Sequence, residues 1–130
     1  MMVKRNLVSV VDDDDYVREA LPDLLRSFGL EAQSFASADA FLASENLDRT
    51  GCLILDVTMP GMTGPELQLE LARRGHAIPI VFITADADES LGPRLLGRGA
   101  VAFLKKPFSE TAMIEAVTAA LDSGRDMLCG

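Results

Sequence analysis

Apolar runs of strand length alternate along this chain with longer segments of helical period, and that alternation restricts the fold more than any other feature. Leu7–Val11, Ala32–Phe35, Cys52–Leu55, Ile78–Ile83 and Ala100–Leu104 read as five strands. Between them, Tyr16–Phe28 carries Val17, Ala20, Leu21, Leu24, Leu25 and Phe28 as one apolar stripe. Ala38–Ala43 reads as a short helix, and Pro65–Arg73 as another closed by Gly75. Ser109–Leu121 sets Met113, Ile114, Val117 and Leu121 on one face, with Ser109 placed as its cap. Strand-helix alternation of this kind predicts an α/β fold, a parallel sheet with helices on both faces. Ser123–Gly130 reads as a frayed tail or a cut end.

Two segments fit the pattern badly. Glu89–Gly99, "ESLGPRLLGRG", stands where a fourth helix belongs but contains Gly92-Pro93, Gly97 and Gly99. Interior glycine costs about 1 kcal/mol relative to alanine and interior proline about 3. The expectation is a short, ragged or late-starting helix. Pro22 sits inside the first helix and should kink it, because its ring removes one backbone donor.

Charge narrows the function classes. The 130 residues hold 20 acids against 12 lysines and arginines, a net charge of −8. That balance disfavours a chain that grips nucleic acid or an anionic membrane by itself. No apolar run approaches the ~18 residues of a membrane span, and the N-terminus shows no signal-peptide apolar region. Two cysteines, Cys52 and Cys129, make no disulfide framework, so a reducing cytoplasm is the expected home. No G-x-G-x-x-G or G-K-[ST] loop is present to cradle a nucleotide.

The strand ends carry the chemistry. In a doubly wound sheet, ligands bind at the carboxyl ends of the strands. Strand one ends in Asp12-Asp13-Asp14-Asp15, strand three in Asp56, strand four in Thr84 and strand five in Lys105-Lys106-Pro107. Strand two ends in Ser37, a cap for the helix after it. Each residue has a plain reading: Asp14 or Asp15 as a helix cap, Asp56 as a turn former, Thr84 as a strand residue, Lys106 as a solvated charge. Their joint arrival at one rim is harder to dismiss. Two carboxylates 4 Å apart repel by about 4 kcal/mol at an effective dielectric near 20. One lysine does not offset three acids, whereas a divalent cation with oxygen ligands does; Mg²⁺ suits an open site that keeps several waters.

The segments "VVDDD" (10–14), "LILDVTMPGMTG" (53–64), "FITA" (82–85) and "FLKKPF" (103–108) resemble the receiver domain of bacterial two-component response regulators, over essentially the whole span from Leu7 to Leu121. The wording "TMPGMTG", "GAVAFL" and "KKPF" is similar to the subgroup often linked to helix-turn-helix output domains. The resemblance implies a single five-stranded parallel sheet in the flavodoxin-like order 2-1-3-4-5, with residues 1–122 as the receiver domain and 123–130 as a C-terminal tail. It implies that Asp56 is the phosphoacceptor, taking its phosphoryl group from a histidine kinase or phosphotransfer domain. Asp12, Asp13, Asp56 and the backbone carbonyl of Thr58 would hold Mg²⁺, with Asp12 acting directly or through a water. Thr84 would bond the phosphoryl group, Lys106 would pair first with Asp56 and then with a phosphoryl oxygen, and Phe103 would rotate inward with Thr84. Lys106-Pro107 would be cis. The fourth helix, fifth strand and fifth helix would form the output face and any homodimer contact, and Gly92-Pro93 disturbs that face. Pro22 lies in the helix that a phosphotransfer partner would contact, and Thr58 and Asp86 sit where the family tunes dephosphorylation.

Phosphoryl transfer asks for positioning and charge stabilisation more than covalent help, which such a rim supplies. The resulting expectation is a switch that catalyses only its own phosphorylation and dephosphorylation. A Mg²⁺-dependent phosphohydrolase of the haloacid dehalogenase type is the competing enzyme reading, but Asp56-Val57-Thr58 lacks that group's second acid. A degenerate receiver that only binds protein is the third reading, and every expected site residue stands against it. His76 falls in a loop on the far side of the sheet, Cys52 reads as core, and Met59, Met62 and Met113 as loop and core fillers.

Overall fold

The computed structural model describes residues 6–85 and 91–129. Its five strands, β1 (Leu7–Val11), β2 (Glu31–Phe35), β3 (Thr50–Asp56), β4 (Ile80–Thr84) and β5 (Ala102–Lys105), form one sheet in the order β2-β1-β3-β4-β5. Every pairing is parallel. Five helices connect and cover them: α1 (Asp15–Ser27), α2 (Ala38–Leu42), α3 (Gly64–Arg73), α4 (Leu91–Gly97) and α5 (Glu110–Cys129). The strand order and the helices on both faces are as the resemblance implies.

Alternation along the strands divides the core. Val8, Val10, Cys52, Ile54, Val81 and Ile83 face α1 and α5, where they meet Leu21, Leu25, Met113 and Val117. Val11, Leu53, Leu55, Ile80 and Phe82 face the other way, toward Phe41 of α2, Leu67 and Leu71 of α3 and Leu95 of α4. β3 is buried along its whole length, which its position at the centre of the sheet requires. Each such apolar side chain contributes about 1.5–3 kcal/mol on burial.

Local signals set most boundaries. Asp14 caps α1 by accepting the Tyr16 N–H at 2.9 Å, Ser37 caps α2 through the Ala40 N–H, and Ser109 caps α5 through the Ala112 N–H. Thr63 and Glu66 close α3 with a reciprocal capping box that the sequence reading missed. β4 starts at Ile80 and not at Ile78, because Pro79 between them has no N–H for a ladder; its carbonyl instead accepts from Leu53 at 2.9 Å. β5 starts at Ala102 and not Ala100, since the Ala100 N–H is spent on the Leu95 carbonyl at the end of α4.

The helices meet expectation at α4 and depart from it at α5. α1 runs from Asp15 to Ser27 with Pro22 buried inside it, and Pro22 has no N–H to offer the Arg18 carbonyl one turn back. α4 is short, as expected, and carries Gly92-Pro93 in its first turn, where a missing N–H costs little. Glu89 and Ser90, part of that expected segment, and Asp86 lie outside the described residues. α5 continues to Cys129 and does not stop at Leu121. An interior glycine such as Gly124 costs only about 1 kcal/mol relative to alanine and does not end an established helix, since extending a helix is cheaper than starting one. Among the described residues no helix is long and apolar enough to cross a membrane.

Candidate functional site

The parallel order brings the carboxyl ends of β1, β3, β4 and β5 to one rim. Asp12 directly follows β1 and is fully buried; Asp56 is the last residue of β3 and 5% exposed; Thr84 is the last of β4 and fully buried. Asp13 beside them is exposed. Carboxylate oxygens of Asp12, Asp13 and Asp56 lie within 4.8 Å of one another.

The Lys106 ammonium sits between two of these acids, 2.9 Å from Asp12 Oδ2 and 3.8 Å from Asp56 Oδ1. The resemblance implies a Lys106–Asp56 pair; the structure places the shorter contact on Asp12. Both acids have other donors. Asp12 Oδ1 accepts the Asp14 N–H at 2.9 Å, and the Asp56 carboxylate accepts the Thr58 backbone N–H. The lysine is held in turn by the main chain, where the Lys106 N–H donates to the Thr84 carbonyl at 2.7 Å, and Lys106-Pro107 is cis.

These neighbours set the proton affinities. Burial pushes the Asp56 carboxyl up from 3.8 to about 7, and the Asp12 charge adds to the rise. The Lys106 ammonium and the Thr58 N–H pull the other way without cancelling it. Burial on its own would lower the Lys106 pKa, but the hydrogen bond and charge of Asp12, then the charge of Asp56, leave it raised. The lysine is therefore a fixed cation, and Asp56 gains its charge fully only above neutrality or beside a further cation.

Such a donor set fits a metal. Three carboxylates, one exposed and two buried, offer hard oxygen ligands and an excess of negative charge, the combination that Mg²⁺ requires. Asp12, Asp13 and Asp56 are the residues that would hold it.

Two features missed in the sequence brace this rim. Arg18 on α1 reaches back to donate from Nη1 to the Asp12 carbonyl at 3.0 Å and from Nη2 to the Asp15 carboxylate. A basic residue three positions after Asp15 signals an ion pair, but nothing in the spacing points to the Asp12 carbonyl. Gly64, at the start of α3, donates its N–H to the Val57 carbonyl at 3.0 Å and closes the loop after Asp56. A Cβ there would lie 2.4 Å from the Asp56 carbonyl oxygen, so only glycine fits.

Phe103 on β5 is half-buried, pairs in register with Phe82, and packs against the α2–α3–α4 side of the core. Its ring lies where a Cβ on Gly92 would come within 3.1 Å. His76 lies at the opposite rim, 3.7 Å from Asp48, away from the acids. Cys52 is buried, and burial pushes its thiol up to about 12, so it is an inert core residue. Met59 and Met113 are buried and Met62 half-buried, as fillers.

Comparison with known proteins agrees with this geometry. Residues 8–118 match the family model of the response regulator receiver domain. The response regulator protein TodT of Pseudomonas putida is 42% identical over 121 residues, covering 93% of this chain and 53% of TodT. The transcriptional regulatory protein FixJ of Azorhizobium caulinodans is 47% identical over 115 residues, covering 88% and 54%. Among solved structures, the response regulator StyR superposes with a TM-score of 0.87 at 45% identity, over 93% of this chain and 61% of that one. FixJ-N superposes with a TM-score of 0.82 at 36% identity, over 94% and 96%. The chain spans about half the length of the curated relatives it matches.

Proposed function

This chain belongs to the response regulator receiver domain family, and on that premise we propose that Asp56 is its phosphoacceptor. Receiver domains of two-component systems are phosphorylation-dependent switches that interact with histidine kinases and control output domains, and this one is a signalling switch rather than a metabolic enzyme. The observation that carries the assignment of Asp56 is its place among Asp12, Asp13 and Lys106, with a second acid at 4.8 Å or less and an ammonium at 3.8 Å.

A carboxylate oxygen of Asp56 attacks the phosphorus of a phosphohistidine; the N–P bond breaks and the imidazole leaves with its electron pair. Asp12, Asp13 and Asp56, with the Thr58 backbone carbonyl, would hold Mg²⁺, which when bound would neutralise charge on the transferring oxygens. Lys106 moves from Asp12 toward the phosphoryl oxygens as charge builds there. The Thr84 hydroxyl bonds the phosphoryl group, and the new charge, nearly −2, draws it inward. Phe103 then follows, and the surface of α4, β5 and α5 changes for the output partner or for a second copy of the chain. The same groups serve dephosphorylation, in which a water attacks the phosphorus, the bond to the Asp56 oxygen breaks and inorganic phosphate leaves, so the chain catalyses its own phosphorylation and dephosphorylation and nothing further.

Residues 1–122 constitute the receiver unit in this reading, and 123–130 lead out of it. The partner upstream is a histidine kinase or phosphotransfer domain in the cytoplasm, where Cys52 stays a free thiol. Nucleic acid is not a partner of this chain itself, whose net charge is −8. The test is incubation with acetyl phosphate and Mg²⁺, read by intact mass. The expected result is one added phosphoryl group, not formed when EDTA is present from the start and absent in Asp56→Asn. Labelling that persists in Asp56→Asn overturns the assignment, and turnover of an external phosphate ester would restore the phosphohydrolase reading.

A further inference from the structure

We propose that Arg18 is a positioning residue for the cation site, fixing the peptide between Asp12 and Asp13 by bridging the Asp12 carbonyl to the Asp15 carboxylate. The inference rests on the reading of Asp12, Asp13 and Asp56 as Mg²⁺ ligands and adds a residue from outside that set. Two acids meant to share a cation repel each other when it is absent, so the main chain that joins them needs an external restraint.

Several contacts already fix one side of this turn. The Asp12 N–H donates to the Phe35 carbonyl at 3.2 Å, Asp12 Oδ1 receives the Asp14 N–H, and Asp14 caps α1. The carbonyl of Asp12 belongs to the peptide that aims Asp13, and its partner is the Arg18 Nη1 at 3.0 Å. The guanidinium side chain is 23% exposed and that of Asp15 87%, so Asp15 holds the outer end of the fork and leaves the inner end on the carbonyl. A planar fork serves both acceptors from two nitrogens of fixed separation; a lysine, with all its donors on one nitrogen, does not reproduce that spacing.

Charge and position predict opposite signs, which makes the inference decidable. Arg18 is a cation close to a cation site, so by electrostatics alone its removal tightens Mg²⁺ binding. Loss of positioning weakens it, typically by a factor of ten or more for a group that orients a ligand. The test is calorimetric Mg²⁺ titration of the whole chain as wild type, Arg18→Ala, Arg18→Lys and Asp13→Asn, each first checked for a cooperative thermal transition in EDTA. The expected result is a Kd raised about tenfold in both Arg18 variants, with the Asp13 and Asp14 amide signals displaced before any metal is added. Arg18→Lys keeps the charge and should not rescue. If the wild type binds Mg²⁺ and Asp13→Asn weakens it, while both Arg18 variants bind as tightly or more tightly, the role of Arg18 is overturned and the cation site stands. If the wild type does not bind, or Asp13→Asn changes nothing, the cation site falls and the Arg18 proposal with it.

Discussion

The two rims of the sheet are built from the same five strands and treat charge in opposite ways. Toward the amino ends, polar groups pair one to one: Ser9 bonds Thr50 at 2.8 Å, Asn46 bonds Gln33, and the exposed Arg49 and Glu31 form an ion pair at 2.8 Å. At the carboxyl ends, two buried acids and a third exposed one crowd together with one lysine. The first arrangement costs the fold little. The second stores electrostatic repulsion that a cation or a phosphoryl group can relieve, so function and stability are separated by only the length of a strand.

The contrast can be broken most severely by closing the space around Asp56. Gly64→Ala places a methyl 2.4 Å from the Asp56 carbonyl oxygen and should cost about 3 kcal/mol, typical of an overpacked site. Urea denaturation measures it; a loss under 1 kcal/mol would mean the β3–α3 loop yields easily.

Burial of Asp56, with the Asp12 charge beside it, should also appear as a pH dependence. The Asp56 carboxyl titrates near 7 in the fold against 3.8 unfolded, so the fold holds this proton more tightly. Its stabilising effect is full at low pH and is lost as pH rises from about 4 to 7. In EDTA, Asp56→Asn should therefore be more stable than wild type at pH 8 by about 2 kcal/mol, a figure below the full shift because water screens part of the field. Equal stability of the two proteins from pH 4 to 8 would contradict the strained rim.

Removing one cation from each rim sharpens the comparison further. Lys106→Met leaves the fully buried Asp12 without its ammonium and should cost about 1–2 kcal/mol at pH 7. Arg49→Met, breaking an exposed pair, should cost about 0.5 kcal/mol or less. Equal losses in thermal melts would show that the two rims do not differ.

The smallest effect is expected at Gly92→Ala. Alanine favours the helix by about 1 kcal/mol, but its Cβ would press on the Phe103 ring at 3.1 Å. The net stability change should stay within about 0.5 kcal/mol, while the Phe103 aromatic proton signals move. Unmoved signals would show that the ring does not rest against this glycine.

Much of this was legible in the residues. β1, β3 and β4 follow from apolar runs with near-correct bounds, because burial on both faces demands continuous hydrophobicity, whereas the edge strands β2 and β5 carry a weaker signal. Asp12, Asp13, Asp56 and Lys106 are legible from their places at strand ends, and parallel topology does bring strand ends together. Gly64 was not legible as an obligate glycine, since the backbone it meets lies across a closed loop. Nor was the preference of Lys106 for Asp12, which hangs on a difference of under 1 Å between two acids.

Periodicity and punctuation act between neighbours in the chain, so the linear order of residues was enough for the elements, the parallel sheet and the identity of the acids on its rim. The Arg18 fork on the Asp12 carbonyl, the contact of Phe103 with Gly92 and the raised proton affinity of Asp56 arise between segments that meet only after packing. Burial strengthens the electrostatics there and makes steric fit exact to tenths of an ångström, and no spacing rule carries either quantity.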